Sequence, residues 1–183
     1  MPGTTMTKLG WLLLLPSLAV GALASDIPKG WREFVSAQAG YVAYYPGSWY
    51  ILEPSLTTLY ISSFPPSKAV RAVIVPENGA TISVAPPPAG IREIERWVAR
   101  DIAVRRVRSR SSITLQRSEP NPPLHVTEVV FESIEGPDTT SWYFDVSGRI
   151  LVANLSYWRG GSNEEKYRQV LREMLLVIAP PPR

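Results

Sequence analysis

Cysteine is absent from the 183-residue chain, and histidine occurs once, at His125. Such a chain cannot form a disulfide, a cysteine-ligated metal centre, a thiol nucleophile or a lipid-modified N-terminal cysteine. A site that needs two imidazoles is excluded as well. Neither sign of charge dominates: Lys and Arg total 19 against 16 Asp and Glu, a formal excess of +3. An excess this small gives no argument for binding nucleic acid. The sequence G-x-S-x-G of a nucleophile elbow is missing, and so is the D-x-D-x-D-G run of a calcium loop. What remains is an ordinary globular composition, 45% hydrophobic, which excludes wholesale disorder. The length suits a single domain. A core of that size buries roughly 68–70% of the unfolded surface, so the fold can stand without cross-links.

The first residues carry an export pattern. Lys8 supplies a positive charge, Leu9 to Ala24 is uncharged and rich in leucine, and Ala22-Leu23-Ala24 has small residues where a signal peptidase needs them. Cleavage is expected between Ala24 and Ser25, placing the protein in the periplasm or outside the cell. The run is short of the about 20 apolar residues of a membrane span and is interrupted by Pro16 and Gly21. No transmembrane span is therefore expected after cleavage. The expected organisation is a signal peptide (1–24), a lead-in (25–33), a single domain (34–179) and a proline-rich tail (180–183).

Along the domain, Phe34 to Tyr45 reads as extended chain with Gly40 between two short runs. Pro46-Gly47-Ser48 is a turn, where proline fixes φ and glycine can take a positive one. Trp49–Leu52, Leu59–Phe64, Val70–Val75 and Ala80–Ala85 read as further strands, the last alternating around Ile82 and Val84. From Gly90 to Val104 the period changes. Ile91, Ile94, Val98 and Ile102, with Trp97 beside them, share one helical face. Arg105 to Ser112 reads as a polar link, followed by a short strand at Ile113–Gln116. His125–Ile134, Thr139–Val146 and Arg149–Trp158 read as strong strands, with a two-residue turn at Ser147-Gly148. The last is apolar on both faces, which marks a central strand. Ser162 and Glu165 form a capping box. The stripe Tyr167, Val170, Leu171, Met174, Leu175, Ile178 then follows helical spacing up to Pro180. Strands joined by turns, with two amphipathic helices to cover them, imply an α+β fold around an antiparallel sheet.

The stretch Gly40-Tyr41-Val42-Ala43-Tyr44-Tyr45-Pro46-Gly47-Ser48-Trp49 resembles the opening strand and Y-P-x-x-W turn of the PsbP-like family, and the element order over Phe34 to Ile178 is similar to it. The resemblance implies an antiparallel sheet sandwiched by helices. It also implies an exported accessory protein; the photosynthetic branch of the family supports oxygen evolution through calcium and chloride retention. No residue here matches a photosystem-binding element, so that role does not carry over.

No catalytic residue, metal site or cofactor is expected. His125 starts a strand with no partner motif beside it. Glu128 and Glu132 share one strand face about 13 Å apart, too far for a carboxylate pair across a glycosidic bond, and are expected to face solvent. Glu135 and Asp138 offer too few ligands for calcium. The feature that stands out is a run of arginines: Arg92, Arg96, Arg100, Arg105, Arg106, Arg108, Arg110 and Arg117. Arg105, Arg106, Arg108 and Arg110 in the link lack acidic neighbours nearby in sequence. They are the candidate contacts to an anionic envelope component or an acidic protein partner. The expected function is a non-catalytic binding or accessory module of the cell envelope. A small-molecule carrier with an aromatic-lined interior and, further off, a secreted hydrolase are the alternatives.

Overall fold

The computed structural model describes residues 26–53, 55–66, 74–160 and 163–181. The signal segment, Ser162 of the expected capping box and most of the expected Val70–Val75 strand lie outside them. The strands are β1 (Trp31–Ser36), β2 (Tyr41–Pro46), β3 (Tyr50–Ile51), β4 (Leu59–Ser62), β5 (Ala80–Ala85), β6 (Val107–Leu115), β7 (Leu124–Phe131), β8 (Asp138–Val146) and β9 (Arg149–Tyr157). The helices are α1 (Ile94–Val104) and α2 (Glu164–Val177). β1 and β2 form a separate hairpin; the rest form a seven-stranded sheet in the order β3-β4-β5-β9-β8-β7-β6, every pairing antiparallel. The architecture is α+β. β9 is the middle strand, as its two apolar faces require.

Alternation along the strands divides the side chains between two faces. One carries Leu151, Ala153, Leu155 and Tyr157 of β9 with Trp142, Phe144 and Val146 of β8. It is roofed by α2 and the β1–β2 hairpin. The α2 stripe is buried there: Tyr167, Leu171, Met174, Leu175 and Ile178, with Val170 half-buried at its margin. Tyr41 fastens the hairpin to the sheet, donating to the Val84 carbonyl at 2.8 Å and accepting from the Leu59 N–H at 3.1 Å. Val42 and Ala179 exchange backbone hydrogen bonds of 2.7 and 3.1 Å. Arg117 donates to the carbonyls of Leu176 and Ile178, satisfying groups that a helix C-terminus leaves free. The second face carries Val129, Phe131, Tyr143 and Val152, against which α1 packs Trp97 and Val98 together with Ile91, Ile94 and Ile102.

Several boundaries differ from the sequence reading: β3 and β4 are shorter, β7 ends at Phe131 rather than Ile134, and α1, β1 and β6 differ as well. α1 begins at Ile94 rather than Gly90, because Gly90 has φ +86° and the Ile91 N–H turns back to Pro88. β1 begins at Trp31, inside the expected lead-in. The largest correction is β6: the segment expected to be a polar link from Arg105 to Ser112 is, from Val107, a nine-residue edge strand. An edge strand with one free side tolerates charge along its length, so the hydrophobic alternation that identifies inner strands is missing here.

Two turns show why glycine sits where it does. Ser147 and Gly148 both have positive φ, 54° and 81°, the type I′ geometry of a tight hairpin. Gly47, expected to need a positive φ, does not have one. Its N–H donates to the Gly30 carbonyl at 3.1 Å, and a Cβ at that position would collide with the same oxygen. Close approach is what requires glycine there.

Candidate functional site

The four arginines singled out in the sequence divide into two pairs. Arg105, just past α1, lays its guanidinium 3.7 Å from the centre of the Phe131 ring. Burial pulls its pKa down, opposed by Tyr143 and Asp101. Arg110 lies in register with Val129, so it belongs to the same face of the sheet, and no ion pair involves it among the described residues. Arg106 and Arg108 meet acids at the connection from β7 to β8: Arg106 pairs with Glu132 at 3.1 Å and Arg108 with Asp138 at 3.6 Å. An irregular register between Val107 and Ser109 separates Arg108 from the regular run that follows.

Asp138 is the hub of this network. It is 1% exposed and receives Arg159 through Nε at 2.8 Å and Nη2 at 3.2 Å, together with the Ser133 N–H at 3.0 Å. Arg159 also bonds Glu132 at 2.8 Å. Burial by itself would raise the Asp138 carboxyl; Arg159, Ser133 and Arg108 overcome it and hold the pKa below the ordinary value. Glu132 is held down chiefly by the Arg159 hydrogen bond, and the Arg159 guanidinium is correspondingly stabilised. At this turn the Asp138 charge is met by guanidinium groups.

Glu128 does not face solvent as expected. It pairs in register with Trp142 on the face roofed by α2. There it accepts from Trp142 Nε1 at 2.6 Å and from Arg168 at 2.8 Å. Arg168 comes from the first turns of α2, so this helix brings the counter-charge. His125 is exposed, with Nδ1 3.1 Å from Thr114 Oγ1. No group of three or more His, Asp or Glu suited to a metal occurs among the described residues. The large aromatics pack edge-on in the two cores, Trp49 on Tyr167 and Trp97 on Tyr143.

One feature escaped the sequence reading. The second face of the sheet is apolar only under α1. Beyond it, register aligns two polar rows across the central strands. Tyr60, Ser83, Asn154 and Ser141 form one; Ser62, Thr81, Ser156 and Thr139 form the other. The first row is hydrogen-bonded, Ser141 to Asn154 at 2.7 Å and Asn154 to Ser83 at 3.3 Å. In the second, Thr139 and Ser156 lie 3.2 Å apart. Tyr60, Thr81, Ser83, Asn154, Ser156 and Thr139 of these rows floor an open cleft of about 530 Å³, walled by Pro86, Pro88, Trp97, Asp101 and Arg105. The Tyr143 hydroxyl donates to Asp101 Oδ2 at 2.6 Å; burial first, then this hydrogen bond and the Asp101 charge, push the Tyr143 pKa up. The signal was present as polar residues two apart on four strands, β4, β5, β8 and β9. Only the register shows that they coincide.

No family model matches the chain, and none of the curated proteins does. Solved structures similar to it include a crystal structure from Bacteroides thetaiotaomicron VPI-5482 (14% identity, TM-score 0.47), 84% of this chain aligning with 50% of that one. The chain thus spans about half the length of that protein. A protein of unknown function from Pseudomonas aeruginosa aligns with 84% of this chain and 99% of its own, at 13% identity and a TM-score of 0.41. The solution structure of cyanobacterial PsbP from Synechocystis sp. PCC 6803 aligns over 83% and 93%, at 9% identity and a TM-score of 0.43. A PsbP structure, of the family to which the Tyr45-Pro46 turn pointed, is therefore among the similar folds.

Proposed function

We propose that the chain is an exported, non-catalytic binding module that captures an extended acidic segment of a partner protein along the free edge of β6. The observation that carries this reading is the edge itself. β6 is nine residues long, exposed from Val107 to Ser112, and in regular register from Ser109 to Leu115. The opposite edge, β3, has only two residues. An extended peptide can add to such an edge through main-chain hydrogen bonds. Arg110 on the strand supplies positive charge that no acid absorbs among the described residues. A second copy of β6 is a poor occupant, because like charges placed across a strand pair repel. A binding role rather than catalysis is supported by the carboxylates, since Glu128, Glu132 and Asp138 are each engaged by arginine. Export rests on Lys8, the Leu9–Ala24 run and Ala22-Leu23-Ala24. No helix among the described residues is long and apolar enough to cross a membrane.

The test is fluorescence anisotropy with a labelled oligoglutamate peptide and a matched peptide alternating Glu with Pro. The oligoglutamate should bind the wild type and weaken with salt. The Glu-Pro peptide, which lacks half the N–H donors, and the Arg110→Gln variant should each lose most of that binding. Equal binding of both peptides, equal binding by the variant, or no binding at low salt refutes the reading.

A further inference from the structure

We infer that the cleft on the second sheet face is a binding site for a neutral polyhydroxyl ligand of the saccharide class. Its chemistry narrows the occupant step by step. The floor is made of Thr81, Ser83, Asn154, Ser156 and Thr139, side chains that both donate and accept and carry no charge. A lipid or other apolar ligand would strip water from the donor and acceptor capacity that the bonds within the rows leave over, at a cost. The walls carry one anion, Asp101, and one cation, Arg105, so the charges cancel and nothing favours an ionic ligand over a neutral one.

Asp101 Oδ2 is committed to Tyr143, while no hydrogen bond to Oδ1 occurs among the described residues. Asp101 and Arg105 both line the cleft and offer one charged acceptor and one charged donor. Vicinal hydroxyls of a sugar offer the complementary pair. Within each polar row the side-chain polar atoms lie 2.7–3.3 Å apart, a separation that neighbouring hydroxyls of a pyranose ring can match. Pro86 and Pro88 add a rigid wall without an N–H at either position. A volume of about 530 Å³ falls within the range of small-ligand sites.

Sheet faces left polar are often simply solvated. Here bonds within each row, from Ser141 through Asn154 to Ser83 and between Thr139 and Ser156, with a wall on the α1 side, fix the orientation of these side chains before any ligand arrives and lower the ordering cost of binding.

The experiment is amide NMR of the full chain, titrated separately with maltose, N-acetylglucosamine, inorganic phosphate and octanoate. A saccharide should shift the amides of Thr81, Ser83, Asn154 and Ser156 saturably, and phosphate and octanoate should not. Ser83→Val with Ser156→Val removes two hydroxyls while keeping strand-forming residues. It should weaken saccharide binding about tenfold or more with the remaining amide spectrum retained. If that variant does not fold, Asp101→Asn, at a wall position, takes its place with the same expected loss. Arg110→Gln, outside the cleft, should bind as the wild type does. The inference is overturned if neither saccharide shifts these amides at tens of millimolar, if phosphate or octanoate shifts them instead, or if the variants bind unchanged. Because Arg110→Gln belongs to the edge-strand proposal alone, failure of one site is read separately from failure of the other.

Discussion

Replacing Asp138 by asparagine removes the charge that Arg159 and Arg108 share while nearly preserving shape. The Ser133 N–H keeps its acceptor, since an amide oxygen can take the Oδ1 position. What is lost is the carboxylate charge, the longer Arg108 contact at 3.6 Å and the 2.8 Å bond from Arg159 Nε, because the amide nitrogen that replaces Oδ2 cannot accept. The 3.2 Å bond from Arg159 to the Oδ1 position keeps a neutral acceptor. Breaking a fully buried ion pair costs about 3–5 kcal/mol. Here only the carboxylate is buried: the Arg159 and Arg108 side chains are 45% and 49% exposed and can recover water. Solvent screening reduces the loss to about 2 kcal/mol, within the range of single charged hydrogen bonds. For a domain of this size that is a fall in Tm of about 4–8 °C. Urea denaturation at neutral and acid pH separates this from a packing defect. The Asp138 pKa is depressed in the folded state. Its stabilisation is therefore full above the ordinary carboxylate pKa and is lost as pH falls through the folded value. The wild type should lose part of its margin on acidification, and the Asp138→Asn protein should show a shallower acid limb. The same substitution frees positive charge beside β6, so oligoglutamate should bind more tightly. A neutral-pH change below about 0.5 kcal/mol, an unchanged acid limb or weaker peptide binding refutes the account of the hub.

Leu171→Ala in α2 should cost about 2–5 kcal/mol in chemical denaturation, as large-to-small changes at buried leucines do, because Leu171 is wholly buried between α2 and the sheet. Val170→Ala, at the half-buried margin, should cost less; equal losses would mean that the stripe does not face the sheet. N-terminal sequencing of protein recovered from outside the cytoplasm should begin at Ser25, and a start at Met1 would overturn the expected cleavage.

The elements legible in the sequence are those whose burial is one-sided or complete. The α2 stripe, the helical face of α1 from Ile94 onward, the Ser147-Gly148 hairpin and the central place of β9 all follow from hydrophobic period or turn chemistry; Ile91, read as part of the α1 face, packs on the same core from ahead of the helix. β6 reads as a link because an edge strand has no need of apolar alternation; Arg106, Arg108 and Arg110 carry none. The pairing of Arg106 with Glu132 and of Arg108 with Asp138 is invisible for a different reason. Those acids are remote in sequence and arrive through strand register, which local charge counting cannot supply. Polarity alone assigns Glu128 to solvent, whereas its register with Trp142 carries it to the α2 side, where Arg168 meets it. The polar rows of the cleft have the same origin, since each strand contributes an unremarkable pair of small polar residues and only their alignment makes a surface.

The seam between β5 and β9 has a kinetic consequence. Strands β6 to β9 follow one another in the chain and pair with their sequence neighbours, so they can zip up through short turns. Ser83 and Asn154, which bond across the seam, are 71 residues apart. Closing so long a loop is entropically costly before any contact repays it, and such remote pairings slow folding. The four-strand meander should therefore form first, with β5 and the strands beyond it joining late. Thr81 and Ser83 reach the cleft from one side of that seam, Asn154, Ser156 and Thr139 from the other. The cleft floor is thus absent until the final stage of assembly, and partial opening of the seam dissolves it while the meander and its Asp138 hub persist.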